Sequence, residues 1–119
     1  MISWGAMVRE VLRAAETAAS EGIQTEVIDL RTISPMDENA FLDSVRKTGR
    51  AVVVHEAPRT CGLGAEIIAR INEKALLSLQ APVERITGFD TVVPLMKLEN
   101  LYLPSPERIL RGIRKVMAF

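Results

Sequence analysis

The run Ala51-Val52-Val53-Val54 constrains this chain more than any other feature; Gly49-Arg50 precede it and His55-Glu56-Ala57-Pro58 follow it. Three β-branched residues in a row, with no polar interruption, fit a strand covered on both faces. Such strands belong to parallel sheets whose crossovers are helices. Both flanks agree. Upstream, Ser34-Pro35-Met36-Asp37 carries helix-start chemistry, Phe41, Leu42 and Val45 form an inward stripe, and Gly49 is the stop. Downstream, a helix is predicted over 64–79 with Ile68, Ile71, Ala75 and Leu79 inward, and with Glu66 and Arg70 paired four apart on its outer face.

The alternation extends both ways. Residues 6–20 predict a helix with Val8, Val11, Leu12, Ala15 and Ala19 inward, Arg9, Arg13 and Glu16 outward, and Gly22 as its stop. Residues 25–30 and 83–86 read as strands. The last helix opens at Ser105-Pro106-Glu107 and buries Ile109, Leu110, Ile113, Val116 and Met117. Arg111, Arg114 and Lys115 lie toward its positive-charge-favouring end, and together with Arg108 they read as a solvated face. The pattern predicts an α/β domain over 1–119: a three-layer α/β/α arrangement around an open, mainly parallel sheet. Only residues 1–4 remain for the first strand. It is therefore expected to be truncated, the chain being a piece of something longer.

Composition narrows the function classes. Fifteen Lys+Arg balance fifteen Asp+Glu, so no overall field draws the chain to nucleic acid or to an anionic membrane. One cysteine makes no internal disulfide, and one histidine is poor material for a metal site. The opening residues lack a signal peptide's basic and apolar regions, and no apolar run approaches membrane-spanning length.

In sheets of this type, ligands gather at the C-terminal ends of strands where the winding reverses. With residues 1–4 and 51–54 as neighbouring strands, the crevice lies between Ser3-Trp4-Gly5 and the loop His55-Glu56-Ala57-Pro58-Arg59-Thr60. That loop runs through Cys61 into Gly62 and Gly64 at a helix start, where free N–H groups favour an anion. His55, Glu56, Arg59, Thr60, Gly62 and Gly64 are thus candidates for an anion or regulatory site, or for an interface. Each also has a plain structural reading: His55 as a hydrogen-bonded structural side chain, Glu56 with Arg59 as an ion pair fixing the loop, Cys61 as inert. No residue is assigned to catalysis, to a cofactor or to a metal. Residues 89–103 form a long apolar connection. This segment either packs on its own core or forms a subunit interface, for which Leu95, Met96, Leu98, Leu101 and Tyr102 are the candidates.

Ordered motifs run the length of the chain. Ser3-Trp4-Gly5-Ala6-Met7-Val8, Glu26-Val27-Ile28-Asp29-Leu30-Arg31-Thr32-Ile33-Ser34-Pro35-Met36-Asp37 and Ser44-Val45-Arg46-Lys47-Thr48-Gly49-Arg50 come first. His55-Glu56-Ala57-Pro58-Arg59-Thr60, Gly64-Ala65-Glu66-Ile67, Ala81-Pro82-Val83-Glu84-Arg85-Ile86-Thr87-Gly88, Asp90-Thr91, Pro94 and Leu103-Pro104 follow. Taken together they resemble the transketolase C-terminal-like domain of the β subunit of thiamine-diphosphate-dependent 2-oxo acid dehydrogenases.

The resemblance implies a longer β subunit with a pyrimidine-binding domain before this one. It implies a parent enzyme that decarboxylates a 2-oxo acid on thiamine diphosphate with Mg2+ and passes the acyl group to a lipoyl group. The cofactor would lie on other domains, leaving none in this chain. The implied partners are the pyrimidine-binding domain of the same subunit, the α subunit, a second β subunit and the peripheral-subunit-binding domain of the lipoyl acyltransferase. Glu84 and Phe119 are the docking candidates for that last partner, and the implied location is the cytoplasm, or the mitochondrial matrix in a eukaryote. The loop at 55–58 resembles branched-chain enzymes, whereas residues 75–83 and the ending Lys115-Val116-Met117-Ala118-Phe119 resemble bacterial pyruvate enzymes. The substrate therefore stays open. The alternative function is a stand-alone anion-binding regulatory module with its site at residues 55–64.

Overall fold

The computed structural model describes residues 1–94 and 97–119. Leu95 and Met96, two of the interface candidates, lie outside them. The described elements run β1 (Ile2–Ser3), α1 (Met7–Ser20), β2 (Ile28–Asp29), α2 (Glu38–Thr48), β3 (Val52–Val54), α3 (Leu63–Ala75), β4 (Glu84–Ile86), α4 (Glu99–Tyr102) and α5 (Pro106–Met117). The four strands pair in parallel in the order β2-β1-β3-β4.

β3 is the spine, as its composition requires. Val52 and Val54 point into one core with Met7, Val11, Ala14, Ile109 and Ile113. Ala51 and Val53 point into the other with Phe41, Val45, Ile67 and Ile71. The alternation of a pleated strand thus sends neighbouring residues to opposite helical layers: α1 with α5, and α2 with α3. Each buried valine contributes roughly 1.5–3 kcal/mol relative to exposure.

Local chemistry sets the helix ends. Asp37 Oδ1 accepts the Ala40 N–H at 3.2 Å and opens α2. Gly49 closes it with φ of 70°, the left-handed conformation that glycine takes without a Cβ penalty. Ser105 caps α5 with Pro106 in its first turn.

Several expectations shift. The buried face of α1 is Met7, Val11, Ala14 and Ala18, while Leu12 and Ala19 are exposed. Two rows one residue apart satisfy the same helical spacing and each carries two alanines, so spacing does not choose between them; packing buries Met7, Val11, Ala14 and Ala18. In α3 Ile67 is fully buried and Ile68 only partly. The helix ends at Ala75, and a 3-10 turn at Leu76–Ser78 takes over where the periodicity continues to 79. Met117 is exposed beyond the stripe of α5. Gly112 is buried because α5 lies against β4: a Cβ there would sit 2.8 Å from Ile86 Cδ1.

Candidate functional site at the C-terminal edge of the sheet

The strand order places the winding reversal between β1 and β3, so the loops after Ser3 and after Val54 face each other. Ser3 already bridges the two strands, its hydroxyl donating to the Val54 carbonyl at 3.0 Å. Next along, the rings of Trp4 and His55 stack with centroids 5.3 Å apart and planes within 13°.

His55 is almost completely enclosed, at 1% exposure. Its backbone N–H donates to the Ile86 carbonyl, which continues the β3–β4 ladder. The imidazole turns toward the start of α3, and the two glycines make room for it. A Cβ on Gly62 would lie 2.7 Å from the ring's Cε1, and one on Gly64 would lie 2.5 Å from Nε2. Burial, with the charge of Arg85 adding to it, holds the imidazole below its ordinary pKa. Among the described residues neither ring nitrogen has a hydrogen-bond partner. The hydrogen-bonded His55 expected from sequence is thus a packed one, held by stacking and enclosure.

The rest of the loop is stitched to β4 and beyond. Arg59 donates to the Arg85 carbonyl at 2.9 Å, and Arg85 donates back to the Arg59 carbonyl at 3.1 Å. This exchange replaces the expected Glu56–Arg59 ion pair; Glu56 is exposed. Thr60 gives both its N–H and its hydroxyl to the Asp90 carboxylate, at 2.9 and 2.6 Å. Those hydrogen bonds draw the pKa of Asp90 below the usual carboxylate range. Cys61 is exposed, with φ of 57°.

The connection after β4 mixes packed and exposed residues. Arg108, read from sequence as solvated, instead donates to the carbonyls of Thr87, Tyr102 and Leu103. Its guanidinium also lies 4.6 Å from the centroid of Phe89, which meets Tyr102 edge to face. Tyr102, an interface candidate, turns inward at 4% exposure. Leu98 and Leu101 stand in solvent with Phe89, Val92 and Val93, and Val92 reaches 88% exposure. Of the docking candidates, Glu84 is half-buried and bound to Lys115 at 2.7 Å, and Phe119 is exposed.

Trp4, Arg85, Asp90 and Arg108 complete this edge; from sequence Trp4 was only part of the crevice wall, Arg108 was read as solvated, and Arg85 and Asp90 had no role. Trp4 had a detectable signal, since it ends the predicted strand facing His55. The other three act through backbone carbonyls or across long sequence separations, which no spacing reveals. Among the described residues no group of three His, Cys, Asp or Glu side chains converges. Arg59, the cation best placed to meet a diphosphate, is committed to a carbonyl. No helix of the described residues is long and apolar enough to cross a membrane.

The chain is 47% identical over 119 residues to the pyruvate dehydrogenase E1 component subunit beta of Bacillus subtilis, covering all of this chain and 37% of that one. The protein of the same name from Acholeplasma laidlawii is 49% identical over 116 residues, covering 98% of this chain and 36% of its own. The one from Leifsonia xyli is 50% identical over 119 residues, covering 100% and 35%. The chain thus spans little more than a third of the length of these relatives. Among solved structures, a split gene transketolase described as an inactive β4 tetramer superimposes with a TM-score of 0.83 at 25% identity, covering 98% of this chain and 37% of that one. These relatives lend no support to a stand-alone anion-binding module. The family model for the transketolase C-terminal domain matches residues 1–109, and the chain belongs to that family.

Proposed function

We propose that this chain is the C-terminal structural and docking domain of the β subunit of a 2-oxo acid dehydrogenase, inactive alone. The observation that carries the reading is its end-to-end likeness to pyruvate dehydrogenase β subunits. Pyruvate is accordingly the substrate of the parent enzyme, in preference to a branched-chain 2-oxo acid. Decarboxylation on thiamine diphosphate with Mg2+, and acyl transfer to a lipoyl group, belong to the other domains of that enzyme.

The work of this domain is assembly. The apolar strip of Phe89, Val92, Val93, Leu98 and Leu101 is what a subunit interface buries, and a lone domain has no use for it. Its partners are the pyrimidine-binding domain of the same subunit, the α subunit and a second β subunit. Phe119 extends past α5 and serves the peripheral-subunit-binding domain of the acyltransferase; Glu84, the other docking candidate, is paired with Lys115. The corresponding location is the cytoplasm, or the mitochondrial matrix in a eukaryote.

A domain exchange tests this directly. Replacing the C-terminal domain of the Bacillus subtilis β subunit with this chain should give a protein that assembles with the α subunit and turns over pyruvate. The isolated chain should give no saturable heat with thiamine diphosphate and Mg2+ by calorimetry. A folded chimera that fails to join the α subunit, or cofactor binding by the isolated chain, would overturn the assignment.

A further inference from the structure

We propose that His55 is a proton-operated latch at the C-terminal edge of the sheet: neutral, it locks the loop after β1 to the loop after β3, and protonated, it releases them. This goes beyond the assembly role and does not depend on it.

The geometry supplies each part. One face of the imidazole is covered by Trp4, the residue that follows β1, and the ring abuts Gly62 and Gly64 at the start of α3. The ring thus joins two loops that the chain separates by about fifty residues. A neutral imidazole tolerates this niche. An imidazolium carries two N–H donors, and among the described residues neither nitrogen has a hydrogen-bond partner, although the Pro58 carbonyl borders the same niche at Gly62. The surrounding groups also oppose a cation. Arg85 approaches from β4 with its own positive charge, its Cδ lying 3.2 Å from where a Gly64 Cβ would be. α3 presents the positive end of its dipole. β1 contributes only Trp4 and Ser3, whose hydroxyl is committed to the Val54 carbonyl. Glu56 beside the ring and Glu66 in the first turn of α3 are exposed, and Asp90 is held by Thr60. Protonation is therefore satisfied only by leaving the niche, which uncovers Trp4.

The sign follows from linkage. The folded state binds the proton less readily than the unfolded chain, so this stabilisation is complete above the ordinary imidazole pKa of about 6.5. It is lost as the pH falls through that value toward the lower folded one. The N-terminal amine of Met1, which burial brings down to about 6, titrates nearby. It donates to the Glu26 carbonyl, at the opposite edge of the sheet, so a control must separate the two.

His55 is the only histidine and Trp4 the only tryptophan, so NMR and fluorescence each report a single side chain without assignment work. The 119-residue chain would be titrated from pH 8 to 5. The His55 Cε1–H resonance should titrate with a midpoint below about 6.5. Trp4 emission should shift to the red and become more accessible to acrylamide with the same midpoint. His55→Phe, which keeps an aromatic ring in the niche, should abolish the fluorescence transition while the Met1 amine still titrates. An ordinary or raised imidazole midpoint would overturn the latch. Trp4 emission that stays flat through the His55 titration, or a transition that survives in His55→Phe, would do the same. If His55→Phe does not fold, the coincidence or separation of the two wild-type midpoints decides.

Discussion

Two connections leave adjacent strands at the same edge of the sheet, and they invert what their sequences suggest. The loop after β3 is written in polar residues, yet it holds an imidazole at 1% exposure and ties Arg59 and Thr60 into defined hydrogen bonds. The segment after β4 is apolar, yet Val92, Leu98 and Leu101 stand in water. The first closes on its own domain, while the second leaves apolar area for something else to cover. Polarity alone therefore does not decide burial here: His55 is enclosed while Glu56, Arg59 and Thr60 of the same loop are exposed. What separates the two is where their contacts are met: Arg59 and Thr60 are bound to the Arg85 carbonyl and to Asp90, whereas Val92, Leu98 and Leu101 remain exposed.

The sharpest way to break the contrast is to fill the niche. Gly64→Val places a Cβ 2.5 Å from His55 Nε2 and should cost about 3 kcal/mol in urea unfolding. Adding His55→Ala should recover at least about 1 kcal/mol of that loss, because the clash partner has gone. Additive losses would show that the glycine is needed for backbone reasons alone. A smaller loss is expected from Arg108→Ala, which leaves three carbonyls without their donor and frees Phe89. It should destabilise by about 2 kcal/mol in the same measurement and raise hydrogen exchange near Tyr102.

Asp90 gives a gentler, pH-dependent test of the closed loop. Its carboxyl pKa is depressed in the folded state, so its contribution is present above the ordinary carboxylate value and is lost as the pH falls through the folded one. Exchange of the Thr60 amide should therefore rise in acid in the wild type. In Asp90→Ala it should already be fast at neutral pH. The smallest effect on folding belongs to the open segment. Val92→Asp with Leu101→Asp should change unfolding by no more than about 0.5 kcal/mol. The same pair should abolish assembly of the domain-exchanged β subunit with its partners, as read by analytical ultracentrifugation. A large loss of stability instead would mean that the strip packs on its own domain.

Much of the fold was legible because it rests on short-range rules. Three consecutive valines marked the central strand, Asp37 and Ser105 marked helix starts, and Gly49 marked a stop. The phase of α1 was not legible, because adjacent rows of Val8, Leu12, Ala15 and Met7, Val11, Ala14 meet the same spacing. The crevice was legible as a place, from strand order and the polar loop. Its wiring was not: Arg59 and Arg85 exchange carbonyl bonds across 26 positions, and Thr60 reaches Asp90 across 30. Arg108 looked solvated because a charge on a helix ordinarily is. Only the placement of Thr87, Tyr102 and Leu103 beside α5 brings it three carbonyls.

By itself, then, the sequence determined the succession of strands and helices, the parallel sheet and the family, since these depend on periodicity, capping and ordered motifs along one chain. The tertiary structure alone decided which face of α1 is buried, that His55 is enclosed between Trp4 and two glycines, and which apolar residues stay in water. Those outcomes depend on which surfaces meet when distant segments pack. A group's partner, and hence the cost of burying it, is fixed only when that packing is complete.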